Sequence, residues 1–169
     1  MGFARVINAC RTSSKIIIGQ VQGKAVGGGV GVAAAVDYCL ATTHAAFRLS
    51  ELAVGIGPFV VGPVIERKIG LAAMSGLALT PARWYSAEWG QEKGLYAEVF
   101  ENADQLDKGV KRLVAELLSY SSEAMSALKQ AFWAGTDHWD ALLEERASIS
   151  GHLVLSPAAR AAISAFKGK

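Results

Sequence analysis

The sequence predicts an α/β core over residues 1–103 followed by a helical region over residues 104–169. Three observations carry this prediction. Short β-branched runs bounded by glycine recur through the first hundred residues, beginning with residues 16–21. A glycine-rich stretch that gives way to alanine, residues 25–36, follows the first run directly. Beyond Asp104 the pattern changes, and Leu106, Val110, Leu113, Val114, Leu117 and Leu118 keep the 3.6-residue period of an amphipathic helix.

Taken in order, residues 3–14 read as the end of an amphipathic helix with Phe3, Val6, Ile7 and Cys10 on one stripe. This abrupt start suggests a truncated chain, although a simple N-terminal helix satisfies the same pattern. Residues 16–21 read as a buried strand that Gly23 ends. The glycines of 27–31 form a turn opening a short helix, which the alanines of 33–35 favour. Residues 38–41 and 47–50 read as two further strands, and 51–59, with Gly55, Gly57 and Pro58, as a loop. Helices are expected from Pro63 to Gly70, over 71–79 and over 84–93, the last ended by Gly94, with an edge strand at 96–100. In the second part, Ser122 opens a helix that Gly135 ends, and Thr136 opens one that Gly151 ends. Ser156-Pro157 pairs an N-cap with proline at the first helical position, opening a last helix to Phe166.

Composition narrows the function classes. About half of the 169 residues are apolar, enough for a real core in one domain with a helical appendage. The net charge of +2 comes without any block of like charge, so no nucleic-acid surface is indicated. Cys10 and Cys39 stand apart, outside any metal-ligand spacing, and read as reduced, buried thiols. The longest apolar run falls short of the roughly 20 residues a membrane span needs, and no signal peptide or myristoylation pattern is visible at residues 1–15. The expectation is a soluble protein of the cytoplasm, or of the mitochondrial matrix in a eukaryote. His44, His138 and His152 are scattered, and Trp84, Trp89, Trp133 and Trp139 fall on expected helices where packing is their default role.

Two segments carry chemistry. Residues 29–34 fit the dinucleotide pattern G-x-G-x-x-G/A, with Glu51 downstream, but six residues separate the preceding strand from the first glycine of the match. A Walker A loop is excluded, because Gly23-Lys24 is followed by Ala25 and Ile18 stands where its first glycine belongs. A third reading is an oxyanion hole. Unpaired N–H groups at a helix N-terminus face a developing negative charge, and glycine lets a ligand approach closely. Tight packing of helix on strand explains the same glycines. The second segment is the glutamate loop. Leu52, Ile56 and Phe59 would desolvate Glu51 and raise its pKa towards neutral proton exchange. A loop glutamate paired with Arg48 or Arg67 is the alternative.

Read together, residues 17–29 (IIGQVQGKAVGGG), 37–41 (DYCLA) and 46–58 (AFRLSELAVGIGP) resemble the signature of the crotonase, or enoyl-CoA hydratase/isomerase, family. Residues 87–95 are similar to that family's stretch after its substrate-pocket helices, and residues 55–63 look closest to methylglutaconyl-CoA-hydratase-like members. The resemblance spans nearly the whole chain. It implies the C-terminal part of a subunit: a partial ββα spiral core and a helical trimerisation region, forming a homo-oligomer, a trimer or a dimer of trimers. It further implies a lyase or isomerase of fatty-acid metabolism acting on acyl-CoA thioesters, with no metal and no cofactor beyond the substrate's coenzyme A.

By motif position, Gly28 would donate an oxyanion hydrogen bond and Glu51 would be the catalytic carboxylate. Gly27, Gly29, Ile56 and Phe59 would border the substrate, and Phe166 and Lys167 would cover the acyl group or contact CoA. Two departures stand out. Typical hydratases carry a second glutamate where this chain has Gly31, and the family's N-terminal half, with its second oxyanion amide, does not precede Phe3. One carboxylate suits a proton shuttle better than the activation of water. A catalytically incomplete fragment serving only as an assembly module is the alternative.

Overall fold

Two small sheets share one spiral of chain. The computed structural model describes residues 2–167, with side chains as far as Ala165. Helix α1 (Gly2–Thr12) leads into β1 (Ile18–Val21), β2 (Lys24–Val26) and α2 (Gly28–Ala35). The next turn repeats the pattern with β3 (Tyr38–Thr42), β4 (Ala46–Arg48), a 3-10 turn (Glu51–Val54) and α3 (Gly62–Leu79). Then follow β5 (Tyr85–Ser86), α4 (Ala87–Glu92) and β6 (Glu98–Phe100). Each turn places one strand in each sheet: β1-β3-β6, all parallel, and β2-β4-β5, in which β5 runs antiparallel to β4. Parallel strands need a crossover, and α2 and α3 supply the bulk of it. From Ala103 on, the described elements are all helices: α5 (Ala103–Leu118), α6 (Ser122–Phe132), α7 (Trp139–Val154) and α8 (Pro157–Lys167).

The core follows from the strand registers. Ala25 pairs with Phe47, and Phe47 with Tyr85, which puts these side chains on the inner face. Phe47 is fully buried there, 5.7 Å edge-to-face with Tyr96 and stacked at 6.1 Å on Tyr85. The alanines of α2 let it sit close to α1 and α3, and Ala33, Ala34 and Ala35 are buried. A buried carboxylate ties the sheets to the helical region. Asp37 accepts from Lys129 Nζ at 2.6 and 2.8 Å, Trp133 Nε1 at 3.1 Å and the Ile17 amide at 2.8 Å. Lys68 Nζ donates to the carbonyls of Val36 and Asp37, closing the C-terminal end of α2.

Several expectations are corrected. The glycine stretch contains a strand, β2, before its turn. Residues 84–85 are not helical: Tyr85 pairs with Phe47, and Trp84 is partly exposed on the outer side of that strand. Helix α7 continues through Gly151, where a side chain would meet nothing, so the glycine is merely tolerated. In α1 the buried stripe is Ala4 and Ile7, while Phe3 and Val6 are substantially exposed and Cys10 is only half-buried. Other boundaries hold closely. Gly70 breaks α3 in two with φ 81°, and Ser156 caps α8 by accepting from the Ala159 amide.

Candidate active site

Gly27 is where the two chemical segments meet. It has φ 54°, a conformation glycine adopts freely and L-residues resist. Its amide donates to the Arg48 carbonyl at 3.0 Å, fastening the turn to the strand that leads into Glu51. Its own carbonyl accepts from the Val30 and Gly31 amides. The amides of Gly28 and Gly29, the first two of α2, therefore have no backbone acceptor among the described residues. They stand at the positive end of the helix dipole.

Glu51 opens the 3-10 turn, and Gly55 closes it with φ 78°. The carboxylate lies against Gly27: a methyl group there would fall 2.8 Å from Glu51 Oε1. Glu51 Oε2 is buried without a hydrogen-bond partner among the described residues. Burial raises the pKa of this carboxyl, and the backbone amides of Glu51 and Ser50 oppose the rise only in part. Neither expected arginine pairs with it. Arg48 stands 4.6 Å over the Trp84 ring, and Arg67 donates to the carbonyls of Phe132 and Ala134. A desolvated, unpaired carboxyl beside unpaired helix-terminal amides can exchange a proton with a bound molecule whose negative charge those amides stabilise.

The glycines have different reasons. A side chain at Gly28 would collide with the Phe3 ring of α1. One at Gly31 would collide with Val61, placing its Cβ 2.7 Å from the Val61 Cβ, and Val61 is itself buried. Gly29 has room, with Ala25 Cβ at 3.7 Å. Close packing thus explains Gly28 and Gly31, whereas Gly27 answers to backbone conformation and to the carboxylate.

The remaining candidates divide. The Ile56 amide donates to the Glu51 carbonyl, which holds Ile56 to the 3-10 turn. Phe59 folds back against Gly57 and lines a separate cleft of about 270 Å3 with Pro58, Pro63, Leu71 and Met74. The side chains of Phe166 and Lys167 lie outside the described residues. Helix α8 nevertheless reaches the glutamate turn, since Ala159 is fully buried against Gly55. The sequence reading missed Phe3, Val61 and Ala159, and no local pattern marks them because each is defined by contact with a distant glycine. A larger cavity of about 470 Å3, bordered by Asp37, Arg67, Lys68 and Trp133, does not include Glu51. Its cations are already engaged with helix-terminal carbonyls.

The enoyl-CoA hydratase/isomerase family model matches residues 2–166, and the chain belongs to that family. It is 27% identical over 126 residues to the trans-2-decenoyl-(acyl-carrier-protein) isomerase of Streptococcus mutans, a match covering 74% of this chain and 47% of that protein. To the carnitinyl-CoA dehydratase of Escherichia coli it is 30% identical over 118 residues, covering 70% of this chain and 45% of the other. A crystal structure of an enoyl-CoA hydratase from Mycobacterium avium superposes with TM-score 0.90 at 26% identity, covering 98% of this chain and 65% of that chain. The chain spans about half the length of the curated relatives it matches. The fold is that of the family, an α/β spiral with C-terminal helices. Among the described residues no helix is long and apolar enough to cross a membrane.

Proposed function

We propose that the chain supplies the proton-transfer half of an acyl-CoA double-bond isomerase. The supporting observation is the contact between the half-buried, unpaired Glu51 carboxyl and the turn whose Gly28 and Gly29 amides are free. The Gly28 amide polarises the thioester oxygen. Glu51 takes a proton from the carbon next to the thioester carbonyl, the electrons pass to the oxygen as an enolate, and the same carboxyl returns the proton to a carbon further along the conjugated system. Atoms and charge balance with no added water. Gly31 in the place of a second carboxylate favours this shuttle over hydration, which calls for two groups to hold and activate water.

The reading includes coenzyme A only as part of the substrate, with no resident cofactor or metal. It includes self-association as trimers or dimers of trimers, Phe166 and Lys167 closing over the acyl group, and a location in the cytoplasm or mitochondrial matrix. The subgroup resemblance of residues 55–63 adds methylglutaconyl-CoA to the substrates worth testing. A second reading, a catalytically incomplete assembly module, is favoured by Gly31, which offers no second carboxylate.

The test is calorimetry of the chain with acetoacetyl-CoA against free CoA, followed by turnover of 3-enoyl-CoA and crotonyl-CoA by wild type and Glu51→Gln. Tighter binding than CoA, with isomerisation lost in Glu51→Gln, is expected. A folded chain with no preference over CoA favours the assembly module, and undiminished turnover in Glu51→Gln removes Glu51 from the mechanism.

A further inference from the structure

The outer face of the β2-β4-β5 sheet carries an uncompensated pair of cations. Side chains alternate across a strand. Ala25, Phe47 and Tyr85 therefore point inward, while Lys24, Val26 and Arg48 share the outer face, with Val26 paired to Arg48 in the register. Continuing the antiparallel register of Phe47 with Tyr85 brings Trp84 opposite Arg48. The indole is shared: Lys24 Nζ stands 5.0 Å and Arg48 Cζ 4.6 Å from its centroid. The two charges thus lie within roughly one Debye length, about 10 Å at 0.1 M salt. None of the ion pairs among the described residues involves Lys24 or Arg48, and Arg48 Nε is buried with no hydrogen-bond partner. The indole attracts each cation but offers no negative charge, so their mutual repulsion is left for a ligand to relieve.

We propose that Lys24, Arg48 and Trp84 form an anion site that takes a phosphate or diphosphate group. Trp84 holds both cations on the sheet face, Arg48 offers a fork of donors and Lys24 a compact charge. The site adjoins the glutamate turn through the chain itself, because the Arg48 carbonyl accepts the Gly27 amide. The inference rests on the acyl-CoA reading and deepens it by locating a phosphate subsite, but the anion binding it predicts does not depend on Glu51. Both coenzyme A and a protein-borne phosphopantetheine arm carry the required chemistry.

The experiment is calorimetric titration of the chain with inorganic pyrophosphate, then with 3′,5′-ADP and with 4′-phosphopantetheine. Saturable, salt-sensitive binding of pyrophosphate is expected, weakened roughly tenfold for each cation removed, and hence most in the Lys24→Ala/Arg48→Ala variant. Pyrophosphate has no enolisable carbon, so its binding is read separately from proton transfer, and the exposed Lys111→Ala variant on α5 should bind as wild type. Stronger binding of 3′,5′-ADP than of 4′-phosphopantetheine assigns the site to a nucleotide carrier, and the reverse order assigns it to the arm of a carrier protein. Absence of pyrophosphate binding to wild type overturns the proposal. So does equal binding by a Lys24→Ala/Arg48→Ala variant whose circular dichroism shows it folded.

Discussion

Removing one partner of the Asp37–Lys129 pair should destabilise the chain far more than removing both. The two side chains are 3% and 1% exposed, and the carboxylate receives four hydrogen bonds, two of them from the ammonium. In Lys129→Met the carboxylate stays buried with only the Ile17 amide and the Trp133 indole as donors. In Asp37→Asn the ammonium stays buried with no counter-charge. Each change should cost about 3–5 kcal/mol, the usual loss when a buried pair is broken from one side. For a chain of this size that lowers the midpoint of thermal unfolding by roughly 6–20 °C. The double variant Asp37→Asn/Lys129→Met removes both desolvation penalties and keeps an acceptor for Trp133 or Ile17. Its loss should fall well short of the roughly 6–10 kcal/mol that additivity requires. Urea unfolding followed by far-ultraviolet circular dichroism, with the four proteins fitted at a common slope, measures all three differences. Single variants within ~1 kcal/mol of wild type, or a double variant equal to the sum, would refute the reasoning, because the pair would then not be a buried, coupled unit.

Three further outcomes follow from the site. The raised pKa of Glu51 means that the folded chain holds this proton above its ordinary value of 4.5. Its contribution to stability is therefore greatest below that value and declines as pH rises through the shifted one. Glu51→Gln should accordingly gain stability over wild type at pH 8 and lose that advantage at pH 4, and a pH-independent difference in urea midpoints would contradict the desolvation argument. Gly27→Ala forces an L-residue to positive φ against Glu51 Oε1, and should lose about 1–3 kcal/mol. Gly29→Ala meets only Ala25 at 3.7 Å and should be neutral or gain up to ~1 kcal/mol of helix propensity. Equal effects at the two positions in thermal melts would count against the distinction. At Gly55, with φ 78°, an alanine Cβ would lie 2.7 Å from Ala159 Cα, so Gly55→Ala should speed amide exchange in residues 157–165. Unchanged exchange there would mean that this contact does not hold α8 on the glutamate turn.

The elements legible in the sequence are those whose signal is local. Residues 16–21 and 38–41 declare themselves by β-branching and apolar runs, and Ser156-Pro157 by cap chemistry, which the Ser156 hydroxyl and Ala159 amide bear out. Strand β2 is three residues of no special propensity, and it exists because Ala46–Arg48, twenty residues on, pairs with it. The same is true of β5, where the tryptophan and tyrosine at 84–85 read as helix until the Phe47–Tyr85 pairing draws them into the sheet. In the site, the apolar neighbours of Glu51 did point to a raised pKa, yet Leu52 faces largely to solvent. The arginine alternative fails on alternation: Arg48 belongs to the outer face of its strand, where Trp84 holds it.

The glycine motif joins constraints of different origin, and this bears on how chemistry is inferred from it. Gly28 and Gly31 are glycine because Phe3 and Val61 occupy the space a side chain would need, and an inert protein with the same helix packing would need them equally. Gly27 is different. Its φ of 54° is one that L-residues resist, and its bare Cα leaves room for the Glu51 carboxyl, whose Oε1 would lie 2.8 Å from an added methyl group. Neither condition helps the chain fold: a positive φ restricts the position to glycine, and a buried carboxyl oxygen without a partner among the described residues is unfavourable by about 1–3 kcal/mol or more. Local rules broken together at one place, with no structural gain to offset them, are the physical mark of a site. That conjunction, rather than the glycine count, supports assigning proton transfer to Glu51.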